Sequence, residues 1–157
     1  MVNWDIEERP NRFPWPPVLL VIALVAAFGV DRVIPLPLII GFPGALVGVL
    51  LIILALALDV WAMVTFRSAQ TTILPHEGTA QLVTNGPFQF SRNPIYVGNV
   101  LILVGAGLVA GSAWPLLFAP LLALAVQKLA IEREEAHLEA KFGAAWRSYA
   151  ERVRRWV

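Results

Sequence analysis

Cysteine is absent from the 157 residues, which excludes disulfides, thiol nucleophiles and cysteine-ligated zinc or iron–sulfur centres. Histidine is almost as scarce. His76 and His137 stand 61 residues apart, a poor start for a histidine cluster, so no metal site is expected. Charged residues make up 15% of the chain against the roughly 25% usual in soluble domains. With 12 Lys+Arg set among 11 Asp+Glu, no strongly basic face forms, and nucleic acid is not an expected partner. A Gly-x-Gly-x-x-Gly dinucleotide fingerprint is missing too, since Gly105-Ala-Gly107 sits inside an apolar run without a preceding strand. What the chain has is apolar surface, at 58% hydrophobic residues, which rules out disorder. The length suits one domain, and the composition predicts a small, all-α integral membrane bundle in contact with a lipid bilayer.

Four spans are expected, over residues 15–34, 44–66, 94–110 and 114–131. The first contains 13 consecutive apolar residues or glycines, 18–30, and needs its proline-rich start to reach the ~20 residues that cross a bilayer. Asp31 and Arg32 fall near its far end, and Pro35, Pro37 and Pro43 mark a turn. Gly105 and Gly107 in the third span suit close helix packing. Residues 1–14 are slightly acidic, the wrong sign for a signal peptide, and read as a cytoplasmic arm. Residues 68–93 form a polar, turn-rich connector, a kind of loop that is more often functional than idle. In this topology 11 of the 12 basic residues, all but Arg32, fall on one side, which the positive-inside rule makes cytoplasmic. Both termini and the connector then face the cytoplasm, within a single membrane domain 1–157.

Residues 132–157 read as a helical tail. Leu138, Phe142, Trp146, Tyr149, Val153 and Trp156 recur at helical spacing, while Arg147, Glu151, Arg154 and Arg155 take the other faces. Such a helix can lie in the membrane interface or dock over the ends of the spans, and Gly143 can break it in two.

Three polar places stand out. Arg92-Asn93-Pro94 begins the third span with proline at a favourable first helical position, and free N–H groups beside a cation and an amide can hold an anion. A plain helix cap with a snorkelling arginine is the bland alternative. Glu132, Glu134 and Glu135 follow the fourth span. Because Glu134 and Glu135 differ by about 100° around a helix, one is expected to face the bundle and the other water or Lys128 and Arg133. Asp59 lies within the second span at a cost of about 2.5–3.5 kcal/mol, and pairing with Lys128 or Arg92 would give it a structural role. His76-Glu77 in the connector reads as solvated.

The stretch GPFQFSRNPIYVG, followed one span later by EREEAHLEAKFGAAWRSYAERVRRWV, resembles the isoprenylcysteine carboxyl methyltransferase and phospholipid methyltransferase superfamily of membrane enzymes. The similarity runs over roughly residues 71–157: a Gly-Pro-aromatic turn, Arg-Asn-Pro-x-Tyr-x-Gly, a Glu-Glu pair, Phe-Gly and spaced aromatics before a basic end. It implies S-adenosylmethionine as cofactor and a lipophilic methyl acceptor, such as an isoprenylcysteine-type carboxylate, a phospholipid amine or a thiol. It carries cofactor contacts onto Gln81, Leu82, Val83, Phe88, Asn93, Pro94, Ile95, Tyr96 and Glu134. Asn93 stands where many relatives have histidine, asparagine being a familiar variant in bacterial members, and it cannot titrate. Ala130 stands where eukaryotic isoprenylcysteine enzymes have arginine, which leaves the acceptor open. The expected location is the bacterial inner (cytoplasmic) membrane.

The catalytic candidates are Arg92, to anchor an acidic acceptor by forked hydrogen bonds, and Glu135. Glu135, His76 and Asp59 are the groups that could take a proton from an amine acceptor. Phe88 and Tyr96 offer faces for a cationic cofactor. Two other readings remain: a non-enzymatic bundle serving as a partner subunit, and an NADPH-dependent membrane lipid reductase.

Overall fold

The computed structural model describes residues 15–71 and 82–157. The expected arm over residues 1–14, and His76, Glu77 and Gln81, lie outside the described residues. Every regular element described is helical. Helix α1 is Trp15–Val33 and α2 is Gly41–Thr71. A 3₁₀ turn, Gly86–Gln89, precedes α3, Pro94–Ala110. Helix α4, Trp114–Val126, passes through a π turn, Gln127–Ile131, into α5, Glu132–Phe142, and α6 is Ala144–Arg152.

Local chemistry explains most of these limits. Pro94 occupies the first position of α3, where a missing N–H costs nothing, and Gly111 closes it in the left-handed conformation at φ +66°. Three boundaries differ from the sequence expectations. Helix α2 starts three residues early and runs to Thr71, absorbing the beginning of the connector, because nothing from Phe66 to Thr71 breaks a helix. The tail is two helices, broken where expected at Gly143, which adopts φ +51°, a value that suits glycine alone. It also stops being helical at Arg152; Val153 is extended, so Val153 and Trp156 do not continue the stripe on a helix.

Two helical rods, Gly41–Ala69 and Trp114–Phe142, are long and apolar enough to cross a membrane, with mean hydropathies of 2.6 and 1.7. Only 17% of the most apolar stretch of the first is buried, so most of its apolar surface has no protein cover. In water such a surface would be an aggregation hazard; against lipid it costs nothing.

Helices α2 and α3 approach backbone to backbone. A Cβ at Gly105 would lie 2.7 Å from the Gly48 carbonyl oxygen, and one at Gly48 would lie 2.6 Å from that of Gly105. Small residues permit this contact, as the Gly105 and Gly107 pattern suggested. Gly105→Val is expected to destabilise the bundle by about 2–3 kcal/mol, because the obstacle is main chain and cannot swing away. A thermal melt in detergent that matched wild type would contradict the packing.

Alanines make the rest of the core thin. Ala23 on α1, Leu103 on α3, and Ala119, Leu122 and Val126 on α4 form one cluster with Tyr96, Ala130 and Ile131. The end of the bundle carrying Gly111 is tied by backbone bonds, Leu38 N–H to the Gly111 carbonyl at 2.7 Å and Ala113 N–H to that of Leu36 at 2.9 Å. Asp31 completes the latch by accepting from Leu36 N–H at 3.2 Å and from the Ser112 hydroxyl at 2.9 Å. One end of the molecule is thereby sealed, and the polar residues collect at the other.

Candidate functional site

At that other end the 3₁₀ turn is laid against α2 by aromatic contacts. Phe88, almost fully buried, meets Phe66 edge-on with ring centroids 4.8 Å apart. The break at Gly143 folds α6 back over this turn. Tyr149 donates its hydroxyl hydrogen to the Phe88 carbonyl at 2.7 Å, and its ring packs on that of Trp146. Burial pushes the Tyr149 phenol up to about 12, so it stays protonated and keeps donating at any physiological pH. Trp146 and Tyr149 are 5% and 3% exposed, which selects docking over the spans from the two placements open to the tail.

Between the turn, the start of α3, α5 and α6 lies a cavity of about 420 Å³, within the range of small-molecule sites. Leu82, Val83, Phe88, Asn93, Pro94, Ile95, Tyr96 and Glu134 line it, as do Arg92 and Glu135. Ten of the sequence-selected positions therefore converge on one hollow, and the eleventh, Gln81, lies outside the described residues.

The two neighbouring glutamates have separate partners. The Tyr96 hydroxyl donates to Glu134 Oε1 at 2.7 Å, linking the start of α3 to α5. Glu135 accepts a forked pair from Arg155, Nε at 3.1 Å and Nη2 at 2.6 Å, and Arg92 Nη1 lies 3.3 Å from its Oε1. The hydrogen bond it donates to Glu135 holds the Arg155 guanidinium above its ordinary value, keeping it charged. This corrects the expectation that one of the pair faces water or Lys128 and Arg133: both line the cavity, and Lys128 pairs with Glu132 at 2.8 Å. The chain folding back after Gly143 covers the face a straight helix would have left wet.

Arg92 is 14% exposed at its side chain, lies over the Trp146 ring at 5.6 Å, and has its Nε–H buried with no hydrogen-bond partner. Asn93, 9% exposed, gives its amide N–H to the Arg155 carbonyl at 2.9 Å. Asp59 is not brought in. The expected pairing with Lys128 or Arg92 does not form, since those cations are engaged elsewhere, and its Oδ1 is buried without a partner beside Gly98.

Sequence reasoning did not place Phe66, Ala69, His137 or Lys141 at the cavity. His137 and Lys141 are one turn apart on α5 and extend the face of Glu134, a spacing that could have flagged them. Leu138, Phe142, Trp146 and Tyr149 were visible as an apolar stripe and are the wall it forms. The arrangement gives aromatic and aliphatic walls, an anchored carboxylate, and cationic groups at Arg92 and Lys141. It is suited to a partly apolar ligand carrying charges of both signs.

The family model for phospholipid methyltransferase matches residues 44–145, about two thirds of the chain. An uncharacterised protein of Haemophilus influenzae is 36% identical over 63 residues, which are 40% of this chain and all of that protein. No solved structure matches the chain.

Proposed function

We propose a function from one premise: the chain belongs to the phospholipid methyltransferase family and is a membrane-associated methyltransferase. On our reading the methyl donor is S-adenosylmethionine, and the acceptor is a lipophilic molecule arriving from the bilayer. The observation that carries this is the single cavity gathering Asn93, Tyr96 and Glu134 from segments 38 or more residues apart in sequence. Helices α1 and α3 join the two long rods as four spans, with the site and both termini on the cytoplasmic side of a bacterial inner membrane. The basic residues around the cavity support that orientation.

The residues present fit such a donor. It is a zwitterionic amino acid with a positive sulfur and a nucleoside, and the cavity offers a carboxylate and aromatic walls. When bound, it would supply a methyl group on positively charged sulfur, open to attack by a nucleophile. Glu134, held by Tyr96, would accept from its ammonium or hydroxyls. Phe88 and Tyr96 would face its positive charge. Leu82, Val83, Pro94 and Ile95 would exclude water, and alignment in a dry site is most of what a methyl transfer needs. Arg92 would hold an anionic group of the acceptor through its unused Nε–H. Glu135, gripped by two guanidiniums, is better suited to fixing Arg92 than to accepting a proton. A carboxylate or thiolate acceptor would need no base.

Isothermal titration of the purified protein with the donor and, separately, with NADPH tests the reading. The donor is expected to bind and to stabilise by about 2.7 kcal/mol at 100 times its dissociation constant, and NADPH to do neither. Binding of NADPH alone, or of neither ligand, would overturn it.

A further inference from the structure

The cavity owes one of its supports to a segment beyond the residues matched by the family. Val153 leaves α6 in an extended conformation, and the chain after it returns to the start of α3. Arg92 N–H donates to the Arg154 carbonyl at 3.0 Å. The Arg155 carbonyl receives the Asn93 side-chain amide at 2.9 Å and the Ser91 hydroxyl at 3.4 Å. The Arg155 side chain grips Glu135 of α5, and Trp156 Nε1–H donates to Gln127 Oε1 in the π turn at 3.2 Å. Three consecutive residues thus touch the turn before α3, the π turn and α5.

We infer that residues 153–157 are a main-chain strap that sets the geometry of the donor site, and that Asn93 is the positioning residue which engages it. The inference rests on the methyl-donor reading above. An asparagine before a helix ordinarily bonds the free N–H groups of its own first turn; Asn93 makes no such bond, and its amide is committed to the strap. That commitment fixes the start of α3, where Tyr96 must point its hydroxyl at Glu134. It also explains why asparagine serves here without titrating: the position must donate one N–H to a carbonyl, not exchange a proton. Since the acceptors are backbone carbonyls, the strap depends on the presence and path of the segment more than on the side chain at 154.

The test is a double-mutant cycle read by calorimetric titration with S-adenosylhomocysteine, the demethylated donor. Asn93→Asp keeps the size of the side chain and removes its N–H; ending the chain after Arg152 removes the strap. Each change is expected to weaken binding tenfold or more, and the two together no more than the worse of them, because both break one link. Asn93→His restores an N–H and is expected to recover part of the affinity lost in Asn93→Asp, a recovery that should survive even where the shortened chain folds poorly. Additive losses, or affinity unchanged by the shortening, would overturn the strap while leaving the donor reading intact. Failure of the unaltered protein to bind would overturn both.

Discussion

Glu135→Ala is expected to lower stability by about 3 kcal/mol, the largest loss foreseen for any single side chain here. Its carboxylate is 15% exposed and shared by Arg92 and Arg155, themselves 14% and 33% exposed at their side chains. Removing it leaves two guanidiniums confronting each other in a partly dry place, and breaking a buried ion pair from one side costs about 3–5 kcal/mol. The lower end applies because Arg155 retains access to water. Glu135→Gln keeps an acceptor oxygen but loses the charge, so an intermediate loss is expected. Thermal denaturation in detergent gives the comparison, and limited proteolysis should show faster cutting in residues 144–157 of the alanine variant. An alanine variant as stable as wild type would mean that the triad contributes nothing net, as many exposed ion pairs do.

Glu134→Ala is expected to weaken binding of S-adenosylhomocysteine about 100-fold, equivalent to about 2.7 kcal/mol. The effect on the fold should be separable. Without Glu134 the Tyr96 hydroxyl loses its 2.7 Å acceptor, and an unsatisfied buried donor costs about 1–3 kcal/mol. Glu134→Gln keeps a carbonyl oxygen for Tyr96, so most of that stability should return, while the lost charge keeps affinity about tenfold or more below wild type. Titration and melting of the two variants together distinguish a ligand-facing carboxylate from a purely structural one. Equal affinity in wild type and the glutamine variant would remove Glu134 from the binding role.

The grouping of the residues that line the cavity was legible in the sequence, because they fall in short runs. Arg92 to Tyr96 and Glu134-Glu135 each lie within a turn or two of helix, so proximity inside each run needed no fold. The roles were harder to read. Adjacent glutamates on a free helix must point apart, and the expectation that one met water followed from that geometry alone. It failed because the chain after Gly143 covers the second face and delivers Arg155 from 20 residues away. Asp59 illustrates the same limit. Lys128 and Arg92 were reasonable partners by charge, but each had a nearer carboxylate once the helices were packed.

Composition and pattern by themselves determined the helical class, the apolar rods, the break at Gly143 and the close contact of glycine-bearing helices, since each depends on local backbone preference or on summed hydrophobicity. Tertiary structure alone decided which charge meets which, where the tail docks, and that backbone carbonyls of residues 154 and 155 hold the start of α3. The reason is physical. Every residue presents the same carbonyl, so a main-chain acceptor carries no signature in the side-chain sequence, and its partner is chosen by the path of the chain through space.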